Sequence, residues 1–151
     1  MVWGCILGAG YGELHLMDGI MDKEQYVKIM EESLLGTFKT LGLKKSNTIF
    51  QQDNNPKHTS KLTSKWFTHH HIKVLPWPSN SPDMNPMEHV WAYLQTCVQQ
   101  RHALPTSKAS LWNAICEEWA KMDDRFLAQL YAGMPACIAA LGAAKGWYTS
   151  Y

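Results

Sequence analysis

The sequence predicts a mixed α/β fold, and three observations carry that prediction. Short apolar runs at residues 2–7, 48–52 and 72–75 have the length of strands, while residues 22–42 and 60–70 repeat apolar side chains at helical spacing. The order strand, strand, helix, strand, helix, strand then calls for right-handed crossovers and some parallel pairing. At 151 residues the chain is about one ordinary domain and can bury a real core. With 46% hydrophobic and 18% charged residues, its composition argues against wholesale disorder.

Residues 2–7 read as a buried strand that turns at Gly8, Gly10 and Gly12. Residues 13–17 alternate polar and apolar side chains and return as the second arm of a hairpin, closed by Asp18-Gly19. Asp22 can cap the next helix, with Gln25 at the capping-box position and Tyr26, Ile29, Met30, Leu34 and Phe38 on one stripe. Gly36 weakens that helix and Gly42 stops it. A strand at 48–52 leads through the turn Asn54-Asn55-Pro56 to a helix over 60–70 with Leu62, Trp66 and Phe67 inward, then a strand at 72–75.

Three prolines make residues 76–82 an extended loop, in which Asp83 at the end reads as a shaping residue. Asn85 caps a helix with Pro86 at its first position, running to about Arg101 with Val90, Trp91, Leu94 and Val98 inward. A helix from Thr106 to about Met122 presents Leu111, Trp112, Ile115 and Trp119, and a last one over 126–141 is expected to bend at Gly133 and Pro135. A core over 1–104 with a helical extension over 105–151 packed on the same domain is the expected organisation.

The net charge of +1 hides an asymmetry: Lys44, Lys45, Lys57, Lys61, Lys65 and Lys73 face the single acid Asp53 between residues 44 and 73. Such a strip is either a solvated helix face or a phosphate-binding surface. Cys5, Cys97, Cys116 and Cys137 lack zinc-ligand spacing and read as free thiols of a reducing compartment. The apolar start at residues 1–10 has no basic flank and is too short for a signal peptide or a membrane span, so no membrane partner is expected. That leaves an intracellular, soluble protein, and Lys44-Lys45 alone does not make a nuclear import signal.

Two acids stand at element edges. Asp53 lies just past a strand, where open α/β sheets place ligands, but also where it could open an Asx turn before Pro56. Glu88, three residues after Asn85, could be a ligand or a capping-box glutamate. The run His69-His70-His71 at a helix end suits the helix dipole, with metal binding as the alternative.

The segments F-Q-Q-D-N-N-P-K-H-T-S and L-P-W-P-S-N-S-P-D-M-N-P-M-E-H-V-W, with 34 residues between Asp53 and Glu88, resemble the catalytic core of mariner-type DDE transposases. Val2-Trp3-Gly4 and residues 18–22 match in order, so the resemblance covers roughly residues 1–101. It implies a ribonuclease-H-like mixed sheet flanked by helices, with a helical C-terminal tail. It also implies metal-dependent DNA cleavage and strand transfer in transposition, in the nucleus or otherwise the cytoplasm, with DNA as partner and a homodimer as assembly. Asp53 and Glu88 would be the second and third catalytic acids and ligands of Mg²⁺ or Mn²⁺. Lys57, His58, Lys61 and Lys65 would meet DNA phosphates. His89 would pack or orient, and Trp77 and Trp91 would pack.

In that family the first Asp lies on the strand before the one that Val2-Trp3-Gly4 resembles, and the sequence starts after it. The resemblance therefore implies an absent central first strand, an impaired site with two of three acids, and a hairpin that pairs with the 48–52 strand, leaves an unpaired edge or borrows a strand. A helix-turn-helix region also precedes such domains in the family. A non-enzymatic, domesticated or remnant domain that binds nucleic acid or protein is the alternative.

Overall fold

A computed structural model describes residues 1–78 and 84–143; residues 79–83, Asp83 among them, and 144–151 lie outside the described residues. The chain divides into two compact units, Met1–Asn80 and Ser81–Tyr151.

The first unit opens on a hairpin, β1 (Val2–Leu7) and β2 (Gly10–Leu16), paired antiparallel with an irregularity between Gly4 and Ile6. The turn is tighter than the glycine spacing suggested. β2 begins at Gly10, whose φ of 132° is open to glycine and strained for other residues.

A long helical segment follows in three pieces: α1 (Lys23–Ile29), a π-helical stretch Met30–Leu34, and α2 (Leu35–Thr40). Asp22 caps α1 as expected, accepting from the Gln25 N–H at 2.7 Å. Gln25 does not complete a capping box: its side chain donates to the Asp18 carbonyl at 3.2 Å. Within the π stretch the Leu35 N–H reaches the Met30 carbonyl, one residue wider than an α-helical bond. The Thr37 hydroxyl donates to the Ser33 carbonyl at 2.8 Å and accepts the Glu13 N–H from β2 at 2.9 Å, so a side chain serves both helix and hairpin.

The glycines here have steric reasons. A Cβ at Gly36 would stand 2.6 Å from the Glu13 carboxylate, and one at Gly12 would run into Cys5 and Thr37. Gly36 thus admits the hairpin to the helix face, at the cost in helix propensity that the sequence anticipates. Gly42, at φ 61°, ends α2 with the Leu43 N–H bonded to the Phe38 carbonyl at 2.9 Å.

β3 (Ile49–Phe50) and β4 (Lys73–Val74) form a parallel ladder joined through α3 (Lys61–His69), the strand–helix–strand unit expected. Both strands are shorter than predicted. Among the described residues the hairpin pairs with neither of them, so the first unit contains two separate two-stranded ladders and the expected alternative of direct pairing with the 48–52 strand is not formed.

In α3 the inward face is Thr63, Trp66 and Phe67; Leu62, expected inward, is 40% exposed. The burial of Thr63 is chemically satisfied, since its hydroxyl donates to the Lys57 carbonyl at 2.8 Å. Tyr26, Ile29, Met30, Leu34 and Phe38 meet Trp66, Phe67 and Ile72 in one apolar cluster, with Phe50 and Val74 packed against it. Glu31 ties the helical layer together across its edge, accepting the Trp66 indole N–H at 2.8 Å and lying 3.3 Å from His70.

The second unit contains α4 (Pro86–Gln99), α5 (Lys108–Ala120) and α6 (Asp124–Ala143). Asn85 caps α4, as the sequence predicts, with Val90, Leu94 and Val98 buried. Ser107, one residue past the expected start, caps α5 in a reciprocal pair with Ser110. Trp119 is buried and stacks with Trp91 at 5.8 Å, whereas Leu111 is exposed, against expectation. α6 runs through Gly133 and Pro135 as one helix. By length and composition alone it is long and apolar enough to cross a membrane.

Candidate functional site

The 51–60 turn is built to fix one carboxylate. Asp53 follows β3 directly, and its Oδ1 accepts the Asn55 N–H at 3.1 Å, closing the Asx turn that the sequence allowed. The same oxygen accepts from His58 Nδ1 at 2.5 Å. Oδ2 takes no hydrogen bond from the described residues, and the Asp53 side chain is 58% exposed. The turn residue and the candidate ligand are therefore one and the same: Oδ1 holds the turn, and the side chain as a whole is exposed.

His58 is held from behind. Its side chain is 15% exposed, and the ring lies 4.1 Å from the Tyr26 ring of α1. The Tyr26 hydroxyl donates to Gln52 Oε1 at 2.7 Å, and Gln52 Nε2 donates to the His58 carbonyl at 3.0 Å. Burial, with the Asp53 carboxylate adding to it, pushes the Tyr26 phenol well above its ordinary pKa, so this phenol stays a donor. Asn54 donates to the Trp77 carbonyl at 2.6 Å and anchors the strand-end loop.

The lysines of the expected DNA face split by environment. Lys61 and Lys65 are exposed on α3, while Lys57 is half-buried with its N–H bonded to Asn55 Oδ1 at 3.2 Å. His58 sits among them in sequence but turns inward to Asp53 and Tyr26.

Glu88 is exposed in the first turn of α4. It does not close a backbone capping box: its Oε1 meets the Asn85 side-chain amide at 3.4 Å, a weak contact that leaves the carboxylate available. His89 is exposed, and Trp91 packs on Trp119 as expected.

Both acids supply hard carboxylate oxygens, the donor type that Mg²⁺ and Mn²⁺ prefer, with water filling the remaining positions. Among the described residues no three His, Cys, Asp or Glu side chains form a metal-holding group, the triple histidine included. There His70 joins Glu31 and stacks on Trp66 instead. The engagement of His58 with Tyr26, across 32 positions of sequence, is the feature that sequence reasoning missed, and no local signal predicts it.

Comparisons with known proteins show family and fold. A family model described as DDE superfamily endonuclease matches residues 15–111. Over 152 residues the chain is 34% identical to the Transposable element Tcb2 transposase of Caenorhabditis briggsae, covering 100% of this chain and 54% of the relative. It is 35% identical over 153 residues to the Transposable element Tc1 transposase of Caenorhabditis elegans, with the same coverage. The chain thus spans about half the length of the curated relatives it matches. Among solved structures, the catalytic domain of Mos1 mariner transposase superposes with a TM-score of 0.85 at 20% identity, over 99% of this chain and 75% of that one. The Mos1 mariner paired end complex with Mn gives 0.87 at 20% identity, over 99% and 44%. At that identity the likeness is one of fold, and it bears out the mixed α/β, ribonuclease-H-like architecture.

Proposed function

The chain belongs to the DDE superfamily endonuclease family, and we propose on that premise that it is part of the catalytic core of a mariner-type transposase, acting in DNA cleavage and strand transfer. The observation that carries this reading is the Asp53 carboxylate at a strand end, with Oδ1 tied by two hydrogen bonds and Oδ2 taking none from the described residues. Asp53 and Glu88 are the acids that would hold Mg²⁺ or Mn²⁺. When bound, the cation supplies Lewis-acid activation of water or a 3′-hydroxyl and stabilises the leaving oxygen of an in-line displacement.

The protein's own contribution is position. Asp53 is fixed by its turn, Glu88 by the first turn of a capped helix, and Lys57, Lys61 and Lys65 neutralise phosphates of incoming DNA without reading bases. The ring of His58 is engaged with Asp53, which leaves the three lysines as the cationic contacts. Residues 1–104 form the DNA-processing core in this reading, and residues 105–151 its helical extension. The solved Mos1 structures include a paired end complex with Mn and a paired-end complex with left transposon end, which supports a divalent metal and transposon-end DNA as partners here; a homodimer acting in the nucleus belongs to the same proposal.

A second reading, a recruited or remnant domain without catalysis, is favoured by the absence of a three-ligand acidic group among the described residues. Calorimetric Mn²⁺ titration and salt-dependent DNA binding of the purified chain separate the two. The first reading expects Asp53→Ala and Glu88→Ala to abolish Mn²⁺ binding while DNA binding persists. Each of Lys57→Gln, Lys61→Gln and Lys65→Gln should lower the salt slope by about one. DNA binding without any Mn²⁺ uptake sinks the first reading and leaves the second.

A further inference from the structure

We propose that His58 is the positioning residue of Asp53: its Nδ1–H holds Oδ1 so that Oδ2 is presented to a divalent cation. The inference rests on the metal reading above and names a residue that reading does not include.

An ionised carboxylate only accepts hydrogen bonds, so the 2.5 Å contact between His58 Nδ1 and Asp53 Oδ1 makes Nδ1 the donor. The Asn55 N–H shares that oxygen at 3.1 Å. Two donors on one oxygen remove the freedom of the carboxylate to rotate and bias which oxygen remains for a ligand. The imidazole cannot itself swing away. Its ring lies against the buried Tyr26, its backbone carbonyl accepts from Gln52, and Gln52 is held by the Tyr26 hydroxyl. Tyr26 is 1% exposed, so the chain of contacts ends in the apolar core of the first unit. His58 Nε2 is buried without a hydrogen-bond partner among the described residues. A ring placed for packing alone would have no reason to aim its other nitrogen at the one exposed acid of this turn. Partners that orient a ligating carboxylate in this way commonly influence metal affinity by about 10- to 100-fold.

Two substitutions separate donation from packing. His58→Phe keeps an aromatic ring beside Tyr26 and removes the N–H; His58→Asn loses the ring and keeps an amide N–H at the same number of bonds from Cβ. Mn²⁺ affinity, read by calorimetry, is expected to fall about 10- to 100-fold in His58→Phe and to stay within about threefold of wild type in His58→Asn. Thermal melts of both variants report folding separately. In the metal-free protein, ¹⁵N-imidazole spectra are expected to show the proton on Nδ1 of His58.

Wild-type affinity in His58→Phe, with binding still abolished by Asp53→Ala, overturns the positioning role and leaves the metal reading standing. Equal losses in His58→Phe and His58→Asn also overturn it, since then no donor is being replaced. A proton on Nε2 in place of Nδ1 overturns it without any metal. If the wild-type chain takes up no Mn²⁺ through Asp53, the metal reading fails, and the positioning role fails with it while the hydrogen bond survives.

Discussion

Asp53 and Glu88 are held by different kinds of structure. Around Asp53 the supports come from far along the chain: Tyr26 of α1 carries His58, Gln52 links the two, and Thr63 of α3 fastens the Lys57 carbonyl. Around Glu88 they are local, an Asn85 cap on the Met87 N–H at 3.2 Å and a contact from the Asn85 amide within the same turn. The same division runs through the two units. In the first, side chains bridge hairpin, π stretch and α3, as in the pairs Glu13 with Thr37 and Trp66 with Glu31. In the second, buried Val90, Leu94 and Trp119 are accompanied by exposed charge pairs such as Arg101 with Glu117 at 2.6 Å. An acid supported by tertiary contacts inherits the cooperativity of its core, whereas one on a helix end depends on the helix alone.

Tyr26→Ala tests that contrast hardest. It empties a fully buried aromatic site and releases His58 and Gln52 together, so a loss of about 3–5 kcal/mol is expected in denaturant melts. Tyr26→Phe, which removes the hydroxyl alone, should cost about 1 kcal/mol. Next comes Gly12→Ala, whose Cβ must displace Cys5 and Thr37 where the hairpin meets the helix, at about 1–3 kcal/mol. Cys5 itself is buried, with its thiol pushed up to about 11, so in the intact fold it should react slowly with thiol reagents at neutral pH.

The acids themselves should matter little to folding. Asp53→Ala is expected to cost less than about 1 kcal/mol and Glu88→Ala a few tenths, since neither supports a core. A large loss in either, without added metal, would mean that turn and cap roles outweigh ligation. The smallest effect concerns Glu118, whose carboxyl lies below its usual range because of Lys121 first and Arg101 after it. A depressed folded pKa gives stability that is present above the unfolded value and lost as pH falls through the folded one. The melting difference between wild type and Glu118→Gln should therefore shrink as pH drops below the ordinary carboxylate range.

Much of this arrangement was legible in the residues. Caps at Asp22 and Asn85, the stop at Gly42 and the strand–helix–strand order follow from local chemistry, and local chemistry is what a sequence displays. What escaped depends on distant partners. Leu62 outranks Thr63 as a core residue by type, yet the Lys57 carbonyl satisfies the Thr63 hydroxyl and lets the less apolar side chain turn inward. The π stretch and the Thr37 hydroxyl that reaches both Ser33 and β2 are features no periodicity announces. The contact of the His58 ring with Tyr26 is made only by the fold. Of the candidate site, the residue types and their interval were readable, and the hydrogen bonds that aim them were not.

The proposed metal reading, in which Asp53 and Glu88 are cation ligands, can be read directly from carboxyl ¹³C resonances during a Mn²⁺ titration. Of the 13 Asp and Glu side chains in the chain, those of Asp53 and Glu88 should broaden first and together, with one half-saturation concentration. Broadening of one without the other, or at separate concentrations, would contradict the proposed metal reading.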